Sequence, residues 1–436
     1  MNKKLYPLIC FLLIGVNCFR PSADEVKHPE IVYFVPCQIL QTAGATKKFY
    51  DTFGQHTFWN SFQNREELLD FLTNDIEKHG FKRSDFLYDK LIGHHQKYQQ
   101  YIPSQRVAAD FDFTTIFLKA TFYLNHGRVH PKKIISDWEI DKKRTIDYQL
   151  PFDALKNHSV KEALLSQIPK NKFYQELQSQ WEQSKNPLDK LLLNMERARW
   201  IPDDLGEYYV WVNIPEMKLR WIEKGEVLYT HRTIIGKTDR KTPVLNSAFN
   251  SIVLNPTWTV PPTILKNDVL PAATNNRSYF ANRRIKILDS KGNEVEPEDW
   301  NPERYKSYRY VQEPGKSNAL GTIKFNFPNN HMVYLHDTNN RSLFANDNRT
   351  LSSGCVRVEH PFDLATYIFN TENKKISKDD MIEIVESEKT KHISLSKKVK
   401  IYQTYFTTIV ENNQLKSISD PYQWDEAMIK RIKAKK

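Results

Sequence analysis

The chain has 436 residues, enough for two or three folded units, and its 40% hydrophobic and 26% charged residues exclude a wholly disordered protein. Twenty-two Pro against 13 Gly, with 21 Tyr, 24 Phe and 9 Trp, exclude collagen-like and low-complexity chains and point to rigid turns and aromatic walls. A formal net charge of +11 favours polyanionic surroundings, but zinc-finger, RRM and Walker signatures are missing, so nucleic acid is not an expected partner.

Residues 1–23 have the layout of a secretory signal: Lys3 and Lys4, an apolar run from Leu5 to Val16, then Arg20-Pro21-Ser22-Ala23. The run is shorter than the roughly 20 residues that span a bilayer, so export is expected over an uncleaved anchor contacting the membrane. Gly15-Val16-Asn17 is a poor lipoprotein context for Cys18. With Cys10 and Cys18 in this segment, Cys37 and Cys355 remain for an oxidising compartment, as one disulfide or with at least one free thiol. No CxxC or paired Cys/His spacing suggests structural zinc.

The first half reads as helical. Asn64 and Glu67 suggest a capping box, Leu68, Leu69, Leu72 and Ile76 share one face, and Gly80 follows. A second helix carries Phe113, Ile116, Phe117, Ala120 and Leu124 to Gly127; Asn186-Pro187 opens a third with Leu188, Leu191, Leu192 and Met195, closing before Pro202. After Pro202 the period becomes two: Tyr208, Val210, Val212 and Ile214 alternate with Tyr209, Trp211 and Asn213, and a turn at Lys224-Gly225 joins two further strands. Residues 271–315 read as a long polar connection of the kind used for lids. Strands are expected at Thr322 to Phe327, Met332 to Leu335, Met381 to Val385 and Val399 to Val410, with a helix through Phe362, Leu364, Ala365 and Ile368. The expected class is α+β: a helical scaffold domain at 24–200, a mainly β domain at 201–390 with a long insert at about 271–315, and strands with a basic tail at 391–436.

The densest chemistry runs from His331 to Pro361. Gly354 lets other groups approach Cys355 closely, and the N–H groups of such a turn can face a developing oxyanion. His336 ends an alternating strand from which it can approach the thiol, while the cation of Arg357 favours thiolate and can bind a carboxylate. The competing reading is a small buried cysteine beside an ordinary strand-end histidine. His331 and His360 are weaker candidates, His360 lying beside a helix N-cap; His94-His95 reads as exposed, and Cys37 as packing within Ile31 to Leu40.

These residues resemble a known family. His336-Asp337-Thr338 followed by Ser352-Ser353-Gly354-Cys355-Val356-Arg357-Val358 is similar to the signature of L,D-transpeptidases with a YkuD-type domain, specifically the large YcbB-like branch. Leu193 to Arg197, Trp200 to Gly206, Val212 to Pro215, Asn255 to Pro261 and Gly127-Arg128-Val129 also resemble that branch. Ser353 stands where many members have histidine, a substitution the branch tolerates; its peptidoglycan-binding helical insert is not visible between Ile140 and Leu188.

The resemblance implies a periplasmic or cell-envelope enzyme without cofactor or metal that forms 3→3 peptidoglycan cross-links. Its partners are stem peptides, a tetrapeptide donor and a diamino-acid acceptor. Cys355 is the implied nucleophile, releasing D-Ala to leave a thioester, His336 the base, and the N–H groups of Gly354 and Cys355 the oxyanion hole. Arg357, Ser353, Tyr334 and Trp258 are the implied substrate-binding residues. A reduced Cys355 implies that Cys37 lies far from it. The alternatives are a hydrolase of the same fold or a non-catalytic wall-binding scaffold.

Overall fold

The computed structural model describes residues 44–184 and 189–434. The expected export signal, Cys37 and the Asn186-Pro187 helix start lie outside the described residues. Among the described residues no helix is long and apolar enough to cross a membrane. Two compact units interleave along the sequence: one includes the described residues up to Asp70 with Leu87–Leu118 and Ile146–Ala163, the other Phe71–Phe86, Lys119–Thr145 and the chain from Leu164.

The first unit is helical and organised around a buried carboxylate. Asp110 accepts hydrogen bonds from Tyr50 Oη at 2.5 Å and from the N–H groups of Phe58 and Trp59 at 2.8 and 2.6 Å. Burial still pushes the Asp110 carboxyl up, to about 7. The helix Phe62–Asn74 starts two residues before the expected box at Asn64 and Glu67. Ser61 Oγ accepts from the Asn64 N–H at 3.4 Å, and the Asn64 side chain reaches the Leu155 carbonyl at 2.8 Å instead of capping. His94 is not exposed as expected: it is half-buried, 3.0 Å from Tyr101 Oη and 2.9 Å from an Asp112 carboxylate oxygen.

The second unit is built on one large sheet. Its strands are β1 (Tyr208–Asn213), β2 (Lys218–Glu223), β3 (Glu226–Gly236), β4 (Leu245–Ala248) and β5 (Ser251–Leu254), then, after an insert, β10 (Ile323–Asn326), β11 (Leu335–His336), β12 (Thr350–Ser352), β13 (Val356–Val358), β14 (Lys391–Ser394) and β15 (Lys400–Thr404). They lie in the order β14-β5-β10-β11-β13-β3-β2-β1-β15-β4, with β12 pairing β3. The insert supplies β6 (Trp258–Thr259), β7 (Ile285–Leu288), β8 (Glu294–Val295) and β9 (Arg309–Gln312). The alternation in β1 holds, but both of its faces are buried. Val210 and Val212 join a core with Leu219, Leu335, Val356 and the helix Pro361–Thr371. Tyr209 and Trp211 join another with Leu191, Met195 and the C-terminal Met428 and Ile432. A sheet covered on both faces needs no polar face, which explains the apolar density of these strands.

The expected polar connection at 271–315 is a small folded layer that begins earlier, at Trp258. Its sheet runs β6-β9-β7-β8 over a core that includes Val260, Leu265, Val269, Phe280, Trp300 and Tyr310. Trp300 donates its indole N–H to Tyr310 Oη at 2.8 Å. These apolar residues are too widely spaced to show a local period.

Three expected strands differ. Met381 to Val385 belongs to the helix Lys378–Glu386, started by a capping box of Ser377 and Asp380. Val399 to Val410 is split into β15 and β16 (Thr408–Glu411), which forms a hairpin with β17 (Gln414–Ser417). Asn213 and Asn194 side chains accept from the N–H groups of Phe406 and Thr407, both at 2.9 Å, and so break the ladder. In Met332 to Leu335 only Leu335 is in a strand; Asn329 Oδ1 accepts from the His331 and Val333 N–H groups at 3.0 and 3.1 Å and holds Met332 in a loop at φ +55°.

Candidate active site

Strand register assembles the site. β11 pairs β13 in parallel, with Leu335 opposite Val356 and His336 opposite Arg357. The bond from the Val356 N–H to the Tyr334 carbonyl, 3.3 Å, carries the pairing one residue back and sets Tyr334 beside Cys355. On its other edge β11 pairs β10, with Lys324 opposite His336. Because a strand alternates its faces, Lys324, Tyr334, His336, Cys355 and Arg357 all share one face. His336 is thus a diagonal neighbour of Cys355, and Tyr334 the direct one.

Cys355 is a free, half-buried thiol. Burial pushes its pKa up, outweighing the opposing effects of hydrogen bonding with Tyr334 and of the cations Lys324 and Arg357. Arg357 does favour the thiolate, but desolvation is the larger effect. His336 is buried, and its pKa falls to about 3, first from burial and then from Arg357, against hydrogen bonding to the backbone of Asp337 and Leu320. Its Nδ1 has no hydrogen-bond partner among the described residues. The resting pair at neutral pH is thus a thiol and a neutral imidazole. Alkylation of Cys355 by iodoacetamide is expected to accelerate with pH without a plateau between pH 5 and 8, since the thiol ionises above its usual 9.0. A plateau beginning below pH 7, followed by mass spectrometry, would refute this ordering.

The turn before Cys355 is held from several sides. Ser352 Oγ donates to the Cys355 carbonyl at 2.5 Å and accepts from the Gly354 N–H at 3.2 Å. Thr242 Oγ1 donates to the Gly354 carbonyl at 2.9 Å and accepts from the Gly236 N–H, also at 2.9 Å. Gly354 has φ +112°, which a side chain would strain. The Gly354 N–H is therefore already engaged, contrary to the expected two-donor oxyanion hole; the Cys355 N–H is the one without a protein acceptor among the described residues. Asp337 is buried beneath the histidine, accepting from the Thr322 N–H at 3.0 Å, Thr322 Oγ1 at 2.9 Å and Arg341 at 2.9 Å.

A cavity of about 430 Å³ opens beside this face, between the main sheet and the insert, with Trp258, Lys324, Tyr334, Met332, Thr390 and His392 among its walls. Tyr334 stands between the cavity and the thiol: its phenol interacts with Trp258 and with Cys355, and burial raises its pKa strongly. Lys324 Nζ lies 3.9 Å from the centroid of the Tyr334 ring. Of the expected substrate-binding residues, Trp258 and Tyr334 line the cavity. Arg357 flanks His336, and Ser353 is exposed, accepting from Arg240 at 2.9 Å while Arg240 pairs with Asp268 of the insert at 2.6 Å.

His331 faces Glu139 at 3.3 Å, and His360 is exposed at the N-cap of Pro361–Thr371. Lys324, Arg240 and Asp268 were not singled out from sequence. For Lys324 a signal existed: alternation in Thr322 to Phe327 puts a lone lysine on the face opposite Ile323 and Phe325.

Residues 207–377 match the L,D-transpeptidase catalytic domain of the YkuD family, and residues 44–180 match a scaffold domain. A Haemophilus influenzae (strain ATCC 51907 / DSM 11121 / KW20 / Rd) protein provisionally named an L,D-transpeptidase is 36% identical over 247 residues, 55% of this chain and 49% of that protein. The chain thus spans about half the length of that relative. Among solved structures, an L,D-transpeptidase from Mycobacterium smegmatis is 13% identical over 45% of this chain and 58% of its own, with a TM-score of 0.23. A mutant Enterococcus faecium L,D-transpeptidase is 9% identical over 66% of this chain and 98% of its own, with a TM-score of 0.22.

Proposed function

We propose that this chain, whose residues 207–377 match the YkuD L,D-transpeptidase catalytic domain, is an L,D-transpeptidase of that family and forms 3→3 cross-links in bacterial peptidoglycan through a Cys355 thioester. The observation that carries this reading is a free thiol on one sheet face with a neutral histidine and two cations, the histidine Nδ1 having no hydrogen-bond partner and the cations no carboxylate partner among the described residues. The branch is the YcbB-like one by the motifs at Asn255 to Pro261 and Ser352 to Val358, and the working compartment is the cell envelope.

In the first half-reaction, Cys355 Sγ attacks the carbonyl joining the third residue of a tetrapeptide stem to its terminal D-Ala. The S–C bond forms, the thiol proton passes to His336, and the C–N bond breaks as that proton moves to the departing amine. The Cys355 N–H faces the transient oxyanion. In the second, the side-chain amine of another stem attacks the thioester, His336 takes its proton, and the thiol is restored with a new amide. Bringing a substrate carboxylate toward Lys324 and Arg357 offsets the two cations that depress His336, so the base strengthens when substrate is bound. The insert over the cavity limits water, which favours the amine as acceptor.

Intact-protein mass spectrometry with tetrapeptide muropeptides tests this. The expected result is an acyl adduct on Cys355, release of D-Ala and a cross-linked dimer. An adduct that resolves only to tripeptide monomer would identify the same-fold hydrolase, and no adduct under reducing conditions would leave a wall-binding scaffold.

A further inference from the structure

The wall of the cavity carries a charge that the fold leaves uncompensated. Lys324 projects from β10 among side chains that half-bury it, and burial lowers its pKa. No carboxylate of the described residues lies within ion-pair distance of it, and its ammonium sits 3.9 Å from the centroid of the Tyr334 ring. The amine is close enough to Cys355 for each to affect the other's charge. A partly desolvated cation without a counter-ion costs stability, so its retention at a cavity wall points to an anion supplied from outside.

Arg357 is the other cation of this sheet face without a carboxylate partner among the described residues, but its position differs. It lies opposite His336 on β13 and is absent from the cavity wall, whereas Lys324 lines the cavity together with Trp258, Tyr334 and His392. A group leaving Cys355 on the cavity side, past Tyr334, enters a space that Lys324 lines and Arg357 does not.

We propose that Lys324 is the specificity residue that receives the terminal carboxylate of the donor's leaving amino acid. This rests on the transpeptidase reading for the identity of the donor, though not for the existence of an anion subsite. In a tetrapeptide the free carboxylate belongs to the residue immediately beyond the scissile bond, one side chain's reach from the thiol. In a pentapeptide it lies one residue further, about 3.8 Å along the backbone, and misses the ammonium. Lys324 would thus be the residue through which the site tells the four-residue donor already proposed from a five-residue stem. The ammonium donates hydrogen bonds and charge to the carboxylate without taking part in bond making.

The test compares wild type, Lys324→Met and Lys324→Arg in two assays. In the first, Cys355 acylation is followed by intact mass with a tetrapeptide stem and with the same stem ending in a carboxamide. Wild type is expected to prefer the free carboxylate by roughly 30-fold or more, the usual consequence of losing one partner of a desolvated charge pair. Lys324→Met should fall to within about threefold of parity by losing only the carboxylate rate, and Lys324→Arg should recover most of the preference. In the second, Cys355 is alkylated with iodoacetate and iodoacetamide, each normalised to its rate with a free thiol. Wild type should favour the anion several-fold, and Lys324→Met should not.

Retention of both preferences in Lys324→Met, or an equal fall with charged and neutral reagents, would overturn the assignment in favour of Arg357 or of a merely structural lysine. Failure of wild type to acylate with either stem, with a Lys324-dependent iodoacetate preference intact, would remove the transpeptidase reading and the leaving residue with it, while upholding the anion subsite.

Discussion

Cys355→Ala is expected to eliminate the acyl adduct and to lower turnover by roughly 10⁴-fold or more, the scale seen when a covalent nucleophile is removed. The loss is chemical, because no other thiol lies among the described residues of the unit that carries the site. The fold should persist: Cys355 packs at the margin of the core that includes Leu335 and Val356, and truncating it to alanine removes one sulfur atom. His336→Ala should cost nearly as much, and the double variant little more than Cys355→Ala alone, since the two act in the same bond-making step. Steady-state release of D-Ala, with circular dichroism to verify folding, measures both. An adduct that survives in Cys355→Ala would place the nucleophile elsewhere.

Arg199→Met is expected to destabilise the second unit by about 3–5 kcal/mol, the usual cost of orphaning a buried charge. Arg199 is fully buried, with Nη1 3.4 Å from a Glu196 carboxylate oxygen and Nη2 2.9 Å from Tyr174 Oη, while Nε donates to the Leu124 carbonyl at 3.2 Å. Glu196, also buried, accepts from the Val129 N–H at 2.8 Å. Removing the arginine leaves that carboxylate without its cation and takes a donor from three further groups, Tyr174 Oη and the Leu124 and His79 carbonyls. Urea denaturation followed by tryptophan fluorescence should show a lower midpoint, and Glu196→Gln combined with Arg199→Met should cost less than the two single losses added. Additive losses would show that the pair is not coupled.

The motif Leu193 to Arg197 followed by Trp200 was legible in the sequence as a family resemblance, with an apolar stripe as its physical content. The structure shows why its charged residues matter: Glu196, Arg197 and Arg199 lie inside, tied to backbone or side-chain groups of distant segments. Arg197, for example, meets Asp425 at 2.7 Å across more than two hundred residues of sequence. A helical period marks which residues are apolar, but it does not show that the polar face is buried as well. The strand expected at Met381 to Val385 failed for a related reason. Its apolar run suits either period, and the capping box at Ser377 decided for helix.

What the sequence by itself determined is the β-rich character of the chain after Pro202, the helical character before it, and the chemical identity of the central residues. Period-two alternation, glycine beside cysteine, and histidine at a strand end are local properties, readable without knowing what packs where. Only the tertiary structure decided that Tyr334 stands directly beside Cys355 and His336 diagonally to it, because parallel pairing of β11 with β13 sets that register. It also decided the protonation state, since burial outweighs the nearby cations at Cys355 and reinforces them at His336. Lys324 became part of the site only when β10 was laid against β11, because strand neighbours, unlike motif neighbours, are chosen by the sheet.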